Sequence, residues 1–325
     1  MTTLFVATAG GHLTQLVDLA RRLPGGGDEA ELWASNDNAQ SRSLLESKNA
    51  VFVPEVGTGD VFGVIRSLPV AQRLQREWKF SRVISTGSGL ALGYLPYLAA
   101  CGVRAHYIES ATRLTGPSVS GRVLRAVPGV RLYTQYEHLA RAPWHYIGCV
   151  FDRFVAVKRR EPTAVRRAVV VLGTMTDFRF RRMLDALAPL LRPGGLLEQE
   201  QRMPLETLWQ TGCTPADGLG IDTRPWVPSA ELDAAIARAD LVVIHAGTGS
   251  ALSSLNAGRL PILIPREAAR QEIGDEHQQL LARELDRRGI AIRREPEAVT
   301  VTDLLSAATY DVDSDAVTTP LNLVP

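Results

Sequence analysis

The sequence predicts an α/β protein with two domains, each built on a parallel β-sheet. Its 325 residues exceed the length of one ordinary α/β domain and suit two of about 150 residues each. Apolar strand-like runs alternate with helix-like segments along the chain, which is the pattern of successive βαβ units. The alternation restarts after a stretch rich in Arg, Lys and Pro. We therefore expect a first domain over 1–150, a linker over 151–167, a second domain over 168–310 and a C-terminal tail over 311–325.

In the first half, the apolar run LFVATA predicts a strand that leads through two glycines into a helix. The helix extends from about His12 to Leu23, because leucine, valine and alanine recur there at helical spacing. A basic amphipathic helix is predicted from about Val64 to Trp78. Further strands are predicted at ELWAS, VFVPEV, RVIST, AHYIES, VRLYTQY and HYIG. Successive units of this kind place their strand-end turns at one edge of a sheet, where α/β proteins bind ligands.

The second half repeats this pattern with different residues. Helices are predicted at FRFRRMLDALAPLL, ELDAAIARAD, GSALSSLNAG and EHQQLLARELDRRG. Strands are predicted at AVVVLGT, LEQEQ, LWQTG, LVVIHAG and LPILIP. The two halves resemble each other in architecture, without a short sequence repeat.

Composition argues against several classes of protein. Lys plus Arg number 36 against 35 Asp plus Glu, so net charge gives no sign of a nucleic-acid partner. Cys101, Cys149 and Cys213 lack the spacing of a zinc or redox site, and sparse cysteines fit a reducing cytoplasm. The N-terminal residues lack signal-peptide features, and Leu90–Ala100 is too short to span a bilayer. We expect a cytoplasmic protein without a bound metal or cofactor, in contact with a membrane only peripherally.

The first candidate site is the turn Gly10-Gly11-His12 after the first strand. Glycines allow a tight turn, and the following helix N-terminus offers free N–H groups to an anion or a hydroxyl. The dinucleotide-binding fingerprint is incomplete here, because its third glycine and its acidic ribose contact are missing. His12 has the intrinsic pKa of a general base near neutral pH. The alternative is a histidine that only caps the helix or orders the loop.

The second candidate site is the strand–turn–helix segment around Gly247, Thr248, Gly249 and Ser250. Backbone N–H groups and two hydroxyls at such a turn can bind a diphosphate. The lysine of a P-loop is missing, which argues against ATP hydrolysis. A plain tight turn is the alternative interpretation.

Polar residues follow the next strand, close to this turn. Arg266 ends the strand, and His277 and Gln278 begin a helix, where they can contact the hydroxyls of a sugar. Glu272 and Glu276 fit better as solvated residues near a helix N-terminus.

A third group of candidates follows two strands of the first half. Glu109 ends the strand AHYIES and can hydrogen-bond an acceptor, orient His12 or pair with Arg113. Gly87 and Ser88 form a comparable strand-end turn that can face the acceptor.

Seven segments occur in order and together resemble glycosyltransferase family 28. They are VATAGGHLTQL, RVISTGSG, YIESATRLTGPSVSGRVL, LGT, WQTG, ADLVVIHAGTGSALSSLNAG and PREAARQEIGDEHQQLLARELDRRG. The likeness is to enzymes with an acceptor half and a donor half, including bacterial exopolysaccharide and capsule transferases. The eukaryotic pair that adds the second N-acetylglucosamine to dolichol diphosphate is similar. In this chain the two halves look fused, with the acceptor half first.

The resemblance implies the GT-B fold, in which two Rossmann-like domains with parallel sheets face a cleft. It also implies a UDP-sugar donor, an inverting single displacement, no required metal, and a lipid-diphosphate-linked sugar acceptor. The N-terminal loop with Gly10 and Gly11 then supplies His12 as candidate base, and Glu109 occupies the acidic position on the acceptor side.

The donor side matches the family with one departure. The resemblance assigns the diphosphate to the turn 247–250 and the donor sugar to His277 and Gln278. At the position where the family has a ribose-binding glutamate, this chain has Ser253. Loss of that carboxylate could cost about 1–3 kcal/mol of donor binding, so the nucleotide base and the donor sugar stay open.

Other functions stay open as well. A transferase with a soluble natural-product acceptor, a sugar-nucleotide epimerase or hydrolase, and a non-catalytic scaffold all suit the two-domain pattern. The Val64–Lys79 helix, with Arg122, Arg125 and Arg131, could rest on anionic lipid, although such helices more often simply pack on a sheet.

Overall fold

The computed structural model describes residues 2–23, 30–54, 56, 60–159, 164–174, 177–316, 321 and 323–324. Two compact units divide the chain. The first comprises Met1–Asp152 together with Thr318–Pro325, and the second comprises Arg153–Val317. Parts of the predicted linker (160–163) and of the predicted tail (317–320, 322 and 325) lie outside the described residues.

The first unit alternates strands and helices from its first described residue. Its strands are β1 Thr2–Ala7, β2 Ala30–Asn36, β3 Ala50–Val53, β4 Arg82–Gly87, β5 Arg104–Ile108, β6 Val130–Thr134 and β7 Trp144–Tyr146. Its helices are α1 Gly11–Ala20, α2 Ala39–Leu44, α3 Val61–Trp78, α4 Gly89–Ala100 and α5 Val119–Leu124, with a 3₁₀ turn at Glu137–Leu139.

These strands form one parallel sheet in the order β3-β2-β1-β4-β5-β6-β7. The strand order reverses between β1 and β4, which is the point where doubly wound sheets bind ligands. β1 ends at Ala7 and β4 at Gly87, so the turns that follow them meet there. The apolar strand residues pack under α3 and α4 in a core that includes Leu4, Val83 and Tyr94.

The second unit has the same alternation. Its strands are β8 Val155–Lys158, β9 Arg167–Val171, β10 Glu206–Gln210, β11 Thr223–Arg224, β12 Leu241–His245, β13 Pro261–Ile264, β14 Ile292–Arg293 and β15 Tyr310–Asp313. Its helices are α6 Arg181–Leu191, α7 Leu196–Gln201, α8 Ser229–Arg238, α9 Thr248–Asn256, α10 His277–Arg287 and α11 Val301–Ala307, with 3₁₀ turns at Ala268–Arg270 and Pro296–Ala298.

The main sheet of this unit is also parallel, in the order β11-β10-β9-β12-β13-β14. Counted within this sheet alone, that order is 3-2-1-4-5-6, the Rossmann order. The order reverses between β9, which ends at Val171, and β12, which ends at His245. The prediction of two α/β units with parallel sheets is therefore confirmed, and each sheet has one ligand-binding edge defined by its topology.

Two predicted segments differ from the structure. LEQEQ is helical in α7, so the predicted strand is wrong there. Glu198 explains the difference, because its carboxylate accepts hydrogen bonds from the N–H groups of Gly194 and Leu205 and so stabilises the helical turn. The predicted linker contains β8, which pairs in antiparallel fashion with β15.

The described residues include no helix that is both long enough and apolar enough to cross a bilayer. α3 is amphipathic but packs against α4 through Gly63, Ser67, Ala71 and Leu74, which are buried. Val61, Phe62 and Ile65 at its start remain exposed.

Candidate functional site

His12 lies at the switch point of the first sheet, in the first turn of α1. Its Nδ1 is 2.6 Å from the carbonyl oxygen of Thr86, the penultimate residue of β4. The Thr86 hydroxyl in turn donates to the His12 carbonyl oxygen at 2.7 Å. A carbonyl only accepts hydrogen bonds, so Nδ1 carries the proton and Nε2 of the neutral ring keeps its lone pair.

The protonation of His12 is set by its surroundings. Burial lowers the pKa of the ring, and the hydrogen bond to Thr86 and the negative charge of Glu109 oppose that shift, while Arg113 adds to it. At neutral pH the imidazole is therefore uncharged and its Nε2 can accept a proton. These are the properties of a general base.

The turns after β1 and β4 are tied together next to this histidine. The backbone N–H of Ser88 donates to the Thr8 hydroxyl at 2.9 Å, and the two hydroxyls lie 3.1 Å apart. Gly87 has φ +108°, and a Cβ there would be 3.1 Å from the His12 ring. A side chain at 87 would thus crowd the imidazole.

The N-terminus of α1 offers backbone donors at the same edge. Gly10 precedes the helix with φ +92°, and a Cβ there would meet no atom within 4 Å, so the turn faces open space. No side chain caps the helix and its first turn has no acidic residue. The N–H groups from Gly11 onward are available to a hydroxyl or an anion.

Glu109 is buried at the end of β5 and is held by its own neighbours. Its carboxylate accepts hydrogen bonds from the Tyr107 hydroxyl at 3.1 Å and from the hydroxyl and N–H of Ser118 at 3.0 and 2.9 Å. Within the part of the chain that the structure describes, it forms no ion pair with Arg113. The hydrogen bond that orients His12 comes from Thr86, so Glu109 acts on His12 through its charge.

A small pocket opens beside the Glu109 carboxylate. It is mainly apolar, and its lining residues are Glu109, Gly116, Pro117, Thr134, Leu139 and Trp144. Gly121 is required at its wall, since a Cβ there would be 2.4 Å from Glu109 Oε2 and 2.9 Å from the Trp144 ring. A buried carboxylate beside apolar walls can hold a hydroxyl-bearing group in one orientation.

Gln15 links α1 to the ends of the neighbouring strands. Its amide oxygen accepts from the Ala111 N–H at 2.8 Å and from the Gln135 amide at 3.2 Å. Its amide nitrogen donates to the Ser110 hydroxyl at 3.0 Å. Because these groups are buried, the network fixes α1, and with it His12, relative to β5 and β6.

In the second unit, the turn 247–250 leads into α9 at the switch point of the second sheet. Gly247 precedes the helix, no side chain caps it, and its first turn has no acidic residue. The N–H groups of Thr248, Gly249 and Ser250 therefore have no partner within the helix. Within the described residues, the hydroxyls of Thr248 and Ser250 also make no hydrogen bond. The helix end can bind an anion such as a diphosphate.

His245 directly precedes this turn, and the sequence analysis assigned it no role. Its Nδ1 is 3.2 Å from the Val171 carbonyl oxygen, so Nδ1 carries the proton. The ring lies close to two glycines, since a Cβ at Gly173 would be 2.9 Å from it and one at Gly247 would be 2.3 Å from Nε2. Burial and the charge of Arg266 lower the pKa of His245 to about 4, so it is neutral at pH 7.

Arg266 and Gln278 border the turn from β13 and α10. The buried guanidinium of Arg266 donates to the carbonyl oxygens of Leu172, Phe178 and Glu272 at 2.7, 2.8 and 2.9 Å. It therefore orders the loops around the turn, and a direct contact with the donor stays a prediction. Gln278 accepts from the Arg266 N–H at 3.1 Å.

His277 and Ser253 complete the predicted donor residues. His277 begins α10, and its Nδ1 lies 2.5 Å from Asp275 Oδ1. Ser253 is half-buried on α9. The structure thus brings the turn 247–250, Ser253, Arg266 and Gln278 into one unit, and His12, Glu109, Arg113 and the two glycine turns into the other.

Sequence reasoning missed Thr86 and His245. The role of Thr86 depends on its backbone carbonyl, for which a sequence has no signal. His245 ends an apolar strand just before a glycine-rich turn, and that position was a signal that could have identified it.

Comparison with known proteins agrees with this architecture. Residues 220–310 match the model of the glycosyltransferase family 28 C-terminal domain. No curated protein sequence matches the chain. Among solved structures, the glycosyltransferase SnogD from Streptomyces nogalater is similar with a TM-score of 0.59 and 20% identity, over 95% of this chain and 92% of that one.

Two further solved structures have the same fold. MurG of Acinetobacter baumannii is similar with a TM-score of 0.55 and 17% identity, over 94% of this chain and 89% of that one. The glycosyltransferase SsfS6 of Streptomyces sp. SF2575, complexed with thymidine diphosphate, is similar with a TM-score of 0.54 and 19% identity. The match covers 95% of this chain and 90% of that one. The chain therefore has the GT-B fold, and its residues 220–310 are similar to the C-terminal domain of glycosyltransferase family 28.

Proposed function

We propose that this protein is an inverting glycosyltransferase that moves a sugar from a UDP-sugar to an acceptor hydroxyl. The observation that carries the proposal is His12, a neutral histidine whose Nδ1–H is held by Thr86 and whose Nε2 is free to accept a proton. The uncapped N-terminus of α9 supports the second part, the binding of a nucleoside diphosphate. Two of the similar glycosyltransferase structures are complexes with thymidine diphosphate.

The proposed reaction is a single displacement. His12 Nε2 removes the proton of the acceptor hydroxyl as its oxygen attacks the anomeric carbon of the donor. The bond from that carbon to the diphosphate oxygen breaks, and the nucleoside diphosphate leaves with the bonding electrons. The N–H groups of 248–250 stabilise the charge that develops on it. The negative charge of Glu109 favours the imidazolium that forms at His12.

Proton removal by a general base and stabilisation of the leaving diphosphate by backbone donors both have known magnitudes. A positioned general base contributes roughly 10²–10⁴-fold to the rate. Removal of one backbone-type donor from a charge-stabilising site costs about 10²–10³-fold in kcat. The base in the first unit and the backbone donors in the second unit therefore contribute comparable shares of the rate enhancement.

We also propose that transfer needs no metal, since the helix end supplies donors and a positive dipole for the diphosphate. Turnover in 5 mM EDTA, a concentration on the order of that used to strip divalent ions, is then expected to equal turnover with added Mg²⁺. Loss of activity in EDTA that Mg²⁺ restores would contradict metal independence.

For the acceptor we propose a lipid-diphosphate-linked saccharide used in cell-surface polysaccharide synthesis, at the cytoplasmic face of a membrane. The support is an exposed apolar and basic surface, formed by Val61, Phe62, Ile65 and Arg66 of α3. On α5, Val119 and Val123 are exposed next to exposed arginines. Such a mixture suits an anionic lipid surface.

A soluble natural-product acceptor is the second candidate. The similar structures include the spinosyn forosaminyltransferase SpnP and the spinosyn rhamnosyltransferase SpnG, with TM-scores of 0.56 and 0.54. Co-sedimentation with vesicles that contain phosphatidylglycerol distinguishes the lipid-linked acceptor from the soluble one. Wild type is expected to bind and the variant Arg122→Glu/Arg125→Glu/Arg131→Glu to stay in the supernatant. Equal sedimentation of both, or none by wild type, would favour the soluble acceptor.

The test of the function itself is a product assay. Radiolabelled UDP-sugars are incubated with the protein, with and without a membrane-lipid extract as acceptor source. We expect label in a glycosylated product that depends on the acceptor. Rapid release of free sugar in the absence of acceptor would indicate a hydrolase. Isomerisation of the donor would indicate an epimerase, and a donor that stays unchanged under all conditions would indicate a non-catalytic scaffold.

A further inference from the structure

Two buried glutamines, Gln15 and Gln135, connect the helix that carries His12 to the ends of the neighbouring strands. Gln15 lies on α1 three residues after His12, a spacing at which side chains are neighbours on a helix. Gln135 directly follows β6. Each residue is only 1% exposed, so neither side chain can contact a substrate. Any role in the reaction therefore passes through the groups to which the two amides are hydrogen-bonded.

The orientation of the Gln135 amide is fixed by two backbone groups. Its Oε1 accepts from the Val150 N–H at 2.8 Å, because an N–H group can only donate. Its Nε2 donates to the Glu109 carbonyl oxygen at 2.9 Å and to Gln15 Oε1 at 3.2 Å. One side chain thus connects the end of β5 to α1 and to Val150.

The Gln15 amide extends this connection to the first turn of α1. Its Oε1 accepts from the Ala111 N–H at 2.8 Å, and its Nε2 donates to the Ser110 hydroxyl at 3.0 Å. The same Nε2 donates to the Gly11 carbonyl oxygen at 3.1 Å. Gly11 directly precedes His12, so the network holds the helix at the residue next to the imidazole.

We propose that Gln15 and Gln135 are positioning residues for the general base. This assignment rests on the proposed function and extends it from His12 to the network behind it. Thr86 holds the imidazole from β4, whereas the two glutamines hold the helix backbone from the ends of β5 and β6. The second connection matters because a displacement of about 1 Å at a reacting group can cost about 100-fold in rate. The network also contains the Glu109 carbonyl oxygen, so it fixes the residue whose charge acts on His12.

The test measures product formation from a radiolabelled UDP-sugar, with a membrane-lipid extract as acceptor source. Gln15→Met removes the connection to α1 and leaves the hydrogen bonds of Gln135 with Val150 and Glu109 in place. It is expected to lower kcat by about 10–100-fold, because the base is displaced. The KM for the UDP-sugar should stay within about threefold of wild type, since the donor site lies in the second unit. Gln135→Met, which removes all three hydrogen bonds of that amide, should have the same effect.

Gln75→Met is the matched control. Gln75 Oε1 accepts from the Phe80 N–H at 3.1 Å, just before β4 and therefore at the opposite edge of the same sheet. The control thus also removes an amide acceptor from a backbone N–H, but away from α1, and wild-type kcat is expected. Circular dichroism at the assay temperature checks that each variant is folded.

A double variant distinguishes positioning of the base from a general loss of stability. Gln15→Met in the His12→Ala background should cause no further loss of turnover, because residues that act as a unit are not additive. A further loss of about 10-fold there, or wild-type kcat in Gln15→Met alone, would overturn the positioning role and leave His12 as the base. Wild-type turnover in His12→Ala would overturn the base itself, and with it the mechanism.

Discussion

At the scale of one residue, the proposed role of His12 depends on the position of one proton. Thr86 holds the Nδ1–H, so Nε2 is the only ring atom that can accept a proton. We expect His12→Ala to lower turnover by about 10²–10⁴-fold. His145→Ala, at an exposed histidine of the same unit, is the control and should retain wild-type turnover. More than about a tenth of wild-type turnover in His12→Ala would show that His12 is not the base.

The pH profile follows from the lowered pKa of His12. A base works only when deprotonated, so kcat/KM should rise with pH through the His12 pKa and level off above it. Because burial lowers that pKa, the rising limb should lie below pH 6.5, the ordinary value for histidine. A limb centred above pH 7 in a rate profile from pH 4.5 to 9 would contradict this placement of the base.

His245 is expected to differ from an ordinary histidine in its own titration. Its pKa of about 4 means that the ring stays neutral, with the proton on Nδ1, down to about pH 5. Nitrogen-15 NMR of the ring reports both the tautomer and the titration, and His245→Asn identifies the signal by its loss. A titration midpoint near 6.5 would mean that solvent reaches the ring freely.

At the scale of elements, the contact of α3 with α4 depends on Gly93. A Cβ at that position would be 2.1 Å from the Ser67 hydroxyl oxygen and 3.1 Å from the Val64 carbonyl oxygen. Gly93→Ala is therefore expected to destabilise the protein by about 1–3 kcal/mol, despite the better helix propensity of alanine.

The double variant Gly93→Ala/Ser67→Ala supplies the control for that overlap. It removes the hydroxyl and leaves the Ser67 Cβ at 3.5 Å, an ordinary contact. In urea denaturation followed by circular dichroism, the double variant should be more stable than Gly93→Ala alone. Additive effects of the two substitutions would show that the helices do not meet at this pair.

The elements themselves were largely predictable, because each depends on local periodicity. Apolar runs that end in glycine predict the strands β1, β4, β9 and β12 with the turns that follow them. The spacing of apolar residues predicts the helices α9 and α10. The exceptions depend on distant partners. β8 exists only as the partner of β15, some 150 residues away, and α7 is helical because Glu198 bonds to N–H groups beyond the helix.

The candidate site was predictable where the side chain itself carries the chemistry, as at His12 and in the turn 247–250. It was not predictable where the backbone or a neighbouring element decides the role. Thr86 acts through its backbone carbonyl oxygen, which accepts from His12 Nδ1. Arg266 is predicted to contact the donor, and the sequence had no signal that its guanidinium also hydrogen-bonds to three backbone carbonyls.

At the scale of the whole molecule, the two units have different tasks in the proposed mechanism. In that mechanism residues of Met1–Asp152 supply the base, and residues of Arg153–Val317 bind the nucleotide. Substitutions in the two units should therefore separate binding from turnover. Gly247→Ala is the sharpest change in the second unit, because its Cβ would be 2.3 Å from His245 Nε2.

The most direct test of this division is calorimetric titration of wild type, His12→Ala and Gly247→Ala with UDP, GDP and dTDP. We expect wild type to bind UDP with micromolar affinity, on the order of 8 kcal/mol. His12→Ala should bind it within about threefold of wild type while losing turnover. Gly247→Ala should lose at least about 10-fold in affinity, because the diphosphate donors shift. Loss of nucleotide binding in His12→Ala together with wild-type binding in Gly247→Ala would contradict this division, as would the failure of wild type to bind any of the three nucleotides.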